Sequence, residues 1–280
     1  MCTWNRPEVI KLRRHCFNME KTATPEFRRT MLYLHNRLRN DVARGNSKLP
    51  TASNMRQLTW DVVSEATASV WISYCRVGKA KCRKTPQSND GDGTGQNYYL
   101  LGTDTVNTEE REPPPDSLPS FQAWAAALKF IEKDLILKFH YTKSMLDSSA
   151  QIVLARASTV GCSEATYGQS GFKFRVLVCN YDKPPAENRT IYRVDKPCSA
   201  CPKGTACNNH SIYPFLCASP EDDETNGAPI DTEELLGAVV STANFVHLPP
   251  PLLVHYLASI AELLGLWLTL HVFAWIYVGT

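Results

Sequence analysis

Six cysteines fall between Cys162 and Cys217, out of ten in a chain of 280 residues. Cytosolic proteins rarely keep so many thiols outside metal sites, whereas secreted ones use them as crosslinks. Two N-x-S/T sequons, Asn188-Arg189-Thr190 and Asn209-His210-Ser211, lie in the same stretch. Together these features point to the secretory pathway, an extracellular or cell-surface location, and glycosylation at Asn188 and Asn209. Lys+Arg 30 against Asp+Glu 28 leaves a formal charge of +2. That balance gives no reason to expect nucleic acid as a partner. The early basic cluster (Lys11, Arg13, Arg14, Arg28, Arg29, Arg37, Arg39) reads as a solvated helix face. One feature conflicts with export: Arg13-Arg14-His15 stands where a signal peptide needs an apolar core, so none is readable. An upstream start, a wrong first exon and unconventional export are the alternatives, with a defective or missing start preferred.

Thr24-Pro25 predicts an N-cap followed by proline at the first helical position. Phe27, Met31, Leu34, Leu38 and Val42 then recur at helical spacing, and Gly45 closes the run. A second helix is expected within Asn54 to Tyr74, with Val63, Ala66, Val70, Trp71 and Tyr74 as its buried stripe. Arg83 to Pro119 is polar and rich in Gly, Pro and Asp, and reads as a long surface loop. Two further helices are expected, about Ser120 to Phe139 and about Lys143 to Ala157. Ser158 to Ala165 and Phe172 to Tyr181 alternate β-formers around a Gly168-Gln169-Ser170-Gly171 turn, the pattern of a hairpin. Helices with an antiparallel sheet make an α+β fold, with helices packed on the sheet faces.

Several stretches resemble the CAP superfamily (cysteine-rich secretory protein, antigen-five, pathogenesis-related), and within it the arthropod venom-allergen branch. His35-Asn36-Arg37-Leu38-Arg39 with Val42-Ala43-Arg44-Gly45 is similar to the family's first helix. Leu49-Pro50-Thr51-Ala52-Ser53-Asn54-Met55 and Leu58-Thr59-Trp60-Asp61 match its next segment. Trp71 and Cys75, Gly95-Gln96-Asn97, Thr159-Val160-Gly161-Cys162, and Leu177-Val178-Cys179-Asn180-Tyr181 follow in order. Pro197-Cys198-Ser199-Ala200-Cys201-Pro202-Lys203-Gly204 resembles the cysteine-rich hinge. The resemblance covers Thr24 to Cys217 and implies an α-β-α sandwich. The expected organisation is an N-terminal arm of doubtful authenticity (1–23), the CAP domain (24–184), a cysteine-rich hinge module (185–217), an acidic spacer (218–248) and a hydrophobic tail (249–280).

Many members of this family hold two His and two Glu in a central cleft, a donor set able to bind a divalent metal. In this chain Lys79 takes the place of the first His, Gln96 that of the first Glu, Ala127 that of the second Glu and Ser148 that of the second His. A competing register would use His140-Tyr141-Thr142 and restore one His without carboxylate partners. On this reading no metal, no catalytic residue and no cofactor is expected. The second helix also puts Ser64 and Glu65 where relatives have core-facing Leu and Ala. Either that helix rotates to expose Glu65, or a buried carboxylate weakens the fold. His35 reads as a buried, hydrogen-bonded structural residue.

Cys162 and Cys179 sit on adjacent strands and can pair. Cys198, Cys201, Cys207 and Cys217 form a local set with three connectivities; their spacing also permits a zinc site, with disulfides preferred. By resemblance, Cys75 and Cys82 bond to N-terminal cysteines, for which Cys2 and Cys16 are available. Leu263 to Val278 is apolar except for His271 and, taken with Leu252 to Ala261, long enough for a bilayer, although Glu262 interrupts the stretch. No Lys or Arg follows, so a GPI-attachment signal, cleaved near Gly237-Ala238 or Ser241-Thr242-Ala243, is preferred to a transmembrane anchor. The resemblance implies a non-catalytic binding protein whose partner is a lipid or sterol, or another protein. Arg83 to Pro119 and the cysteine module are its expected contact surfaces. The alternative is a metal-dependent hydrolase or protease, against which the substituted tetrad argues.

Overall fold

The computed structural model describes residues 16–22, 24–80, 93–104, 118–207 and 209–224. Its first helix, α1 (Pro25–Arg44), forms as its capping residues dictate. The Thr24 hydroxyl accepts from Phe27 N at 3.1 Å, and Gly45 closes the helix at φ 92°. Phe27, Met31, Leu34 and Val42 are buried, while Leu38 is half-buried. The same helix buries a polar row, His35, Asn36, Arg39 and Asn40. Each of these reaches a partner elsewhere, as a buried polar group must.

The main sheet orders its strands β1 (Phe17–Thr22), β4 (Thr159–Gln169), β5 (Phe172–Tyr181), β3 (Gly95–Asp104), with β2 (Thr59–Trp60) alongside β4. β4 and β5 form the expected hairpin, turning at Ser170 (φ 52°) and Gly171 (φ 82°). The sheet takes in β1, so the folded unit extends upstream of residue 24. β3 corrects the expectation of a continuous loop from Arg83 to Pro119: Gly95–Asp104 pairs with β5 over its whole length. Of that stretch, residues 83–92 and 105–117 lie outside the described residues.

Helix α2 (Val62–Ile72) covers one face of β4 and β5. It is shorter than expected, because Asp61 caps it at the start. Its buried stripe is Ser64, Glu65, Ala68 and Ile72; of the expected stripe Tyr74, just past the helix end, is buried, Val63 and Trp71 are half-buried, and Ala66 and Val70 face solvent. Ala68, Ile72 and Cys75 pack on Ala165, Tyr167, Val176 and Val178. The helix start lies so close to β4 that a Cβ on Gly161 would come within 2.3 Å of Asp61 O and Glu65 N. Only glycine permits that approach.

α1, α3 (Leu118–Ala126) and α5 (Met145–Ile152) lie on the opposite face, completing three layers. The helix expected from Ser120 to Phe139 breaks into α3, a 3₁₀ turn (Ala127–Phe130) and α4 (Lys133–Leu137). α5 stops at Ile152, short of Ala157. The buried Arg39 guanidinium takes the carbonyls of Ile152, Leu154 and Ala157 at 2.7, 2.9 and 3.2 Å. It also takes that of Arg56 through two nitrogens.

Glu65 neither rotates outward nor lacks partners. It is 7% exposed, accepts from Trp60 Nε1 at 2.8 Å, and is paired with the half-exposed Arg28 guanidinium at 3.0 Å. Both carboxylate oxygens are therefore used. Glu65→Ala is expected to lower unfolding free energy by about 1–2 kcal/mol, chiefly through the unmet Trp60 donor. Urea unfolding that found the alanine variant more stable than the parent would contradict this pairing.

The cysteine module folds against the domain. β6 (Ala206–Cys207) and β7 (Cys217–Ala218) make a small ribbon, followed by α6 (Pro220–Glu224). Main-chain bonds from Cys217 N to Met55 O, Gln57 N to Cys217 O and Ala200 N to Ser53 O dock it on residues 53–57. Residues 218–224 therefore belong to the fold, while the rest of the expected spacer and the tail lie outside the described residues. Among the described residues, no helix is long and apolar enough to cross a membrane.

Candidate functional site

The four positions where the tetrad was expected all fall within the described residues. One of them, Gln96, lies at the start of β3. Gln96 and Asn97 are adjacent on that strand, so their side chains leave opposite faces of the sheet. On the α2 face, Gln96 Oε1 accepts from Ala80 N at 2.6 Å and its Nε2 donates to Asn180 Oδ1 at 2.8 Å. Asn180 in turn donates to Ser64 O at 3.1 Å. On the other face, Asn97 Nδ2 donates to Ser148 O at 2.9 Å. Ala127 is buried in the 3₁₀ turn that packs against α5, and Lys79 is exposed beside Ala80. His140, from the competing register, is exposed in the link between α4 and α5.

The buried histidine of this region is His35. Its Nδ1 donates to Met31 O at 2.6 Å, and its Nε2 accepts from the Tyr181 hydroxyl at 2.8 Å. Asn97 Nδ2 also reaches the Tyr181 oxygen, at 3.3 Å. Burial lowers the His35 pKa to about 4, against a smaller upward pull from the Met31 carbonyl, and burial raises that of Tyr181. Both groups are thus neutral near pH 7, and both ring nitrogens are occupied. A general base needs a free lone pair within reach of a substrate proton; His35, fully buried, offers none.

Sequence reasoning singled out Gln96 but missed the partners that occupy it. The register supplied a signal: β3 and β5 bring Gln96 opposite Asn180 and Gly95 opposite Tyr181. Among the described residues, two groups hold three metal-capable side chains close together: His35 with Cys162 and Cys179, and Cys201 with Cys207 and Cys217. All five cysteines are in disulfides, so their sulfurs are not thiolates. The bridges are Cys16–Cys75, Cys162–Cys179, Cys198–Cys207 and Cys201–Cys217. The first two follow the expected pairings, and the last two select one of the three hinge connectivities. Cys2 and Cys82 lie outside the described residues. Asn188 and Asn209 are both exposed in turns.

The family model described as the cysteine-rich secretory protein family, CAP, matches residues 32–181. Among curated relatives, Venom allergen 5 of Tityus serrulatus is 30% identical over 224 residues, covering 71% of this chain and 50% of that protein. Venom allergen 5 of Lycosa singoriensis is 27% identical over 216 residues, covering 72% and 55%. The chain spans about half the length of these relatives. Among solved structures, Na-ASP-1 superposes with TM-score 0.52 at 24% identity, over 70% of this chain and 47% of that one. NaASP2, solved with Zn²⁺, gives 0.52 at 23% identity, over 69% and 96%. These two likenesses concern the fold alone. With its three-layer α-β-α architecture and a family match from the first helix to the end of β5, the chain belongs to the CAP, or cysteine-rich secretory protein, family and resembles its arthropod venom allergens.

Proposed function

We propose that this chain is a non-catalytic, venom-allergen-like protein of the cell exterior that acts by binding a lipid, sterol or protein partner through its surface. One observation carries the reading: Gln96 stands where the family's first Glu is expected, and its amide is consumed by Ala80 N and Asn180. Lys79, Ala127 and Ser148 complete the four positions without an imidazole or a carboxylate. Lys79 adds a positive charge that disfavours a cation nearby, and a hydroxyl with an amide makes a poor set for a transition metal. Four disulfides among the described residues support an oxidising compartment. The exposed Asn188 and Asn209 sequons support glycosylation there. The apolar segment 249–280 supports attachment to a membrane.

Calorimetric titration of the oxidised protein with Zn²⁺ tests this reading. The expected result is no stoichiometric binding at neutral pH. Tight one-to-one binding that is abolished by Gln96→Ala together with Ser148→Ala would overturn it and favour the hydrolase alternative.

A further inference from the structure

Three of the four hinge sulfurs, those of Cys201, Cys207 and Cys217, form one cluster that spans two bridges, and the fourth, Cys198, is bonded to Cys207. Each disulfide joins one cysteine of the Cys198-Ser199-Ala200-Cys201 turn to one strand of the β6–β7 ribbon, where Cys207 and Cys217 are direct cross-strand partners. Cys201 Sγ and Cys207 Sγ belong to different bridges, yet stand 4.0 Å apart. With Cys217 Sγ they lie within 4.8 Å of one another, and Cys198 Sγ joins the group through its bond to Cys207. Four thiolates at about 2.3 Å from a tetrahedral Zn²⁺ stand about 3.8 Å from each other. The separation between the two bridges is already of that size.

Main-chain hydrogen bonds hold the surrounding frame in addition to the bridges. A turn bond from Thr205 N to Pro202 O, at 3.0 Å, closes the loop after Cys201. The ribbon and the main-chain bonds to residues 53–57 hold Cys217 and the turn in place. Cys198, Cys201 and Cys207 are only half-buried, which leaves the bridges open to a reductant.

We propose that the reduced module is a zinc site, with Cys198, Cys201, Cys207 and Cys217 closing on one Zn²⁺ once both disulfides are opened. Each bridge takes two electrons and two protons. A phosphine reductant supplies the electrons and is itself oxidised to the phosphine oxide, with water supplying its oxygen and the two protons. Zinc then displaces one proton from each of the four thiols, so affinity rises with pH. The module is held by covalent bonds under oxidising conditions and by a metal ion under reducing ones. This site is separate from the central cleft, so the oxidised protein is expected to leave zinc unbound and the reduced protein to take it up.

The test uses the full chain, reduced by a phosphine without oxygen and titrated with Co²⁺ and then Zn²⁺. One Co²⁺ per chain is expected, with the intense sulfur-to-cobalt charge-transfer and visible bands of a tetrahedral tetrathiolate, bleached as Zn²⁺ displaces it. Cys201→Ser with Cys207→Ser should lose both. Alkylation followed by peptide mapping supplies a readout that needs no variant: zinc should protect Cys198, Cys201, Cys207 and Cys217 while Cys16 and Cys75 react. Absence of the tetrathiolate spectrum, metal retained by the double variant, or equal alkylation of the four cysteines with and without zinc would each overturn the proposal.

Discussion

Replacing Arg39 by methionine is expected to lower unfolding free energy by about 3–5 kcal/mol, because several buried carbonyls lose a charged donor at about 1–3 kcal/mol each. The side chain has no measurable exposure, and its guanidinium donates five hydrogen bonds to four main-chain carbonyls. Burial pulls its pKa down to about 9, so the group is still charged at pH 7. Methionine matches the stem but leaves the carbonyls of Arg56, Ile152, Leu154 and Ala157 without these donors. Because α5 ends on this cluster, the loss should spread to the contact between α5 and β3. Urea unfolding with the disulfides intact gives the number, and Arg39→Lys, which keeps a charge but fewer donors, should fall between. A methionine variant within about 0.5 kcal/mol of the parent, the scatter of ordinary surface substitutions, would refute the assignment.

Acidification is the second large effect. The folded state holds His35 neutral, with its pKa near 4, whereas the unfolded chain takes up the proton near the ordinary imidazole value of 6.5. Between those values the unfolded state binds more protons, so stability falls as pH falls from about 6.5 to about 4. A difference of that size is worth about 3 kcal/mol by the end of the window. His35→Gln should be less stable at pH 7 but lose less on acidification. The readout is the difference between the two proteins, because carboxylates add their own dependence below about pH 5. Parallel pH profiles for parent and variant would contradict the neutral, buried imidazole.

Local rules made some elements readable. α1 carried its cap, its proline and its closing glycine within one stretch, and the β4–β5 hairpin carried alternation around a two-residue turn. β3 was concealed by its setting. Helices cover both faces of the sheet, so Tyr98-Tyr99-Leu100-Leu101 reads as a continuous apolar run rather than an alternating one. Its flanks, rich in Gly, Asp and Pro, made the whole stretch resemble a loop. At the candidate site, the sequence singled out Gln96 but not the neighbours that occupy its amide. Gln96 meets Asn180 across 84 positions, and Arg39 meets the end of α5 and the turn beyond it across 113 to 118. Glu65 was read as a burden because Arg28, 37 positions away, bears no local sign of being its partner.

The cysteine module's seating on residues 53–57 limits what it can do mechanically. A segment tied by backbone bonds at Ser53, Met55 and Gln57 cannot swing freely about a pivot. A molecule that touches both the module and the neighbouring loop would meet a single stiff outline, with little ordering left to accomplish on arrival.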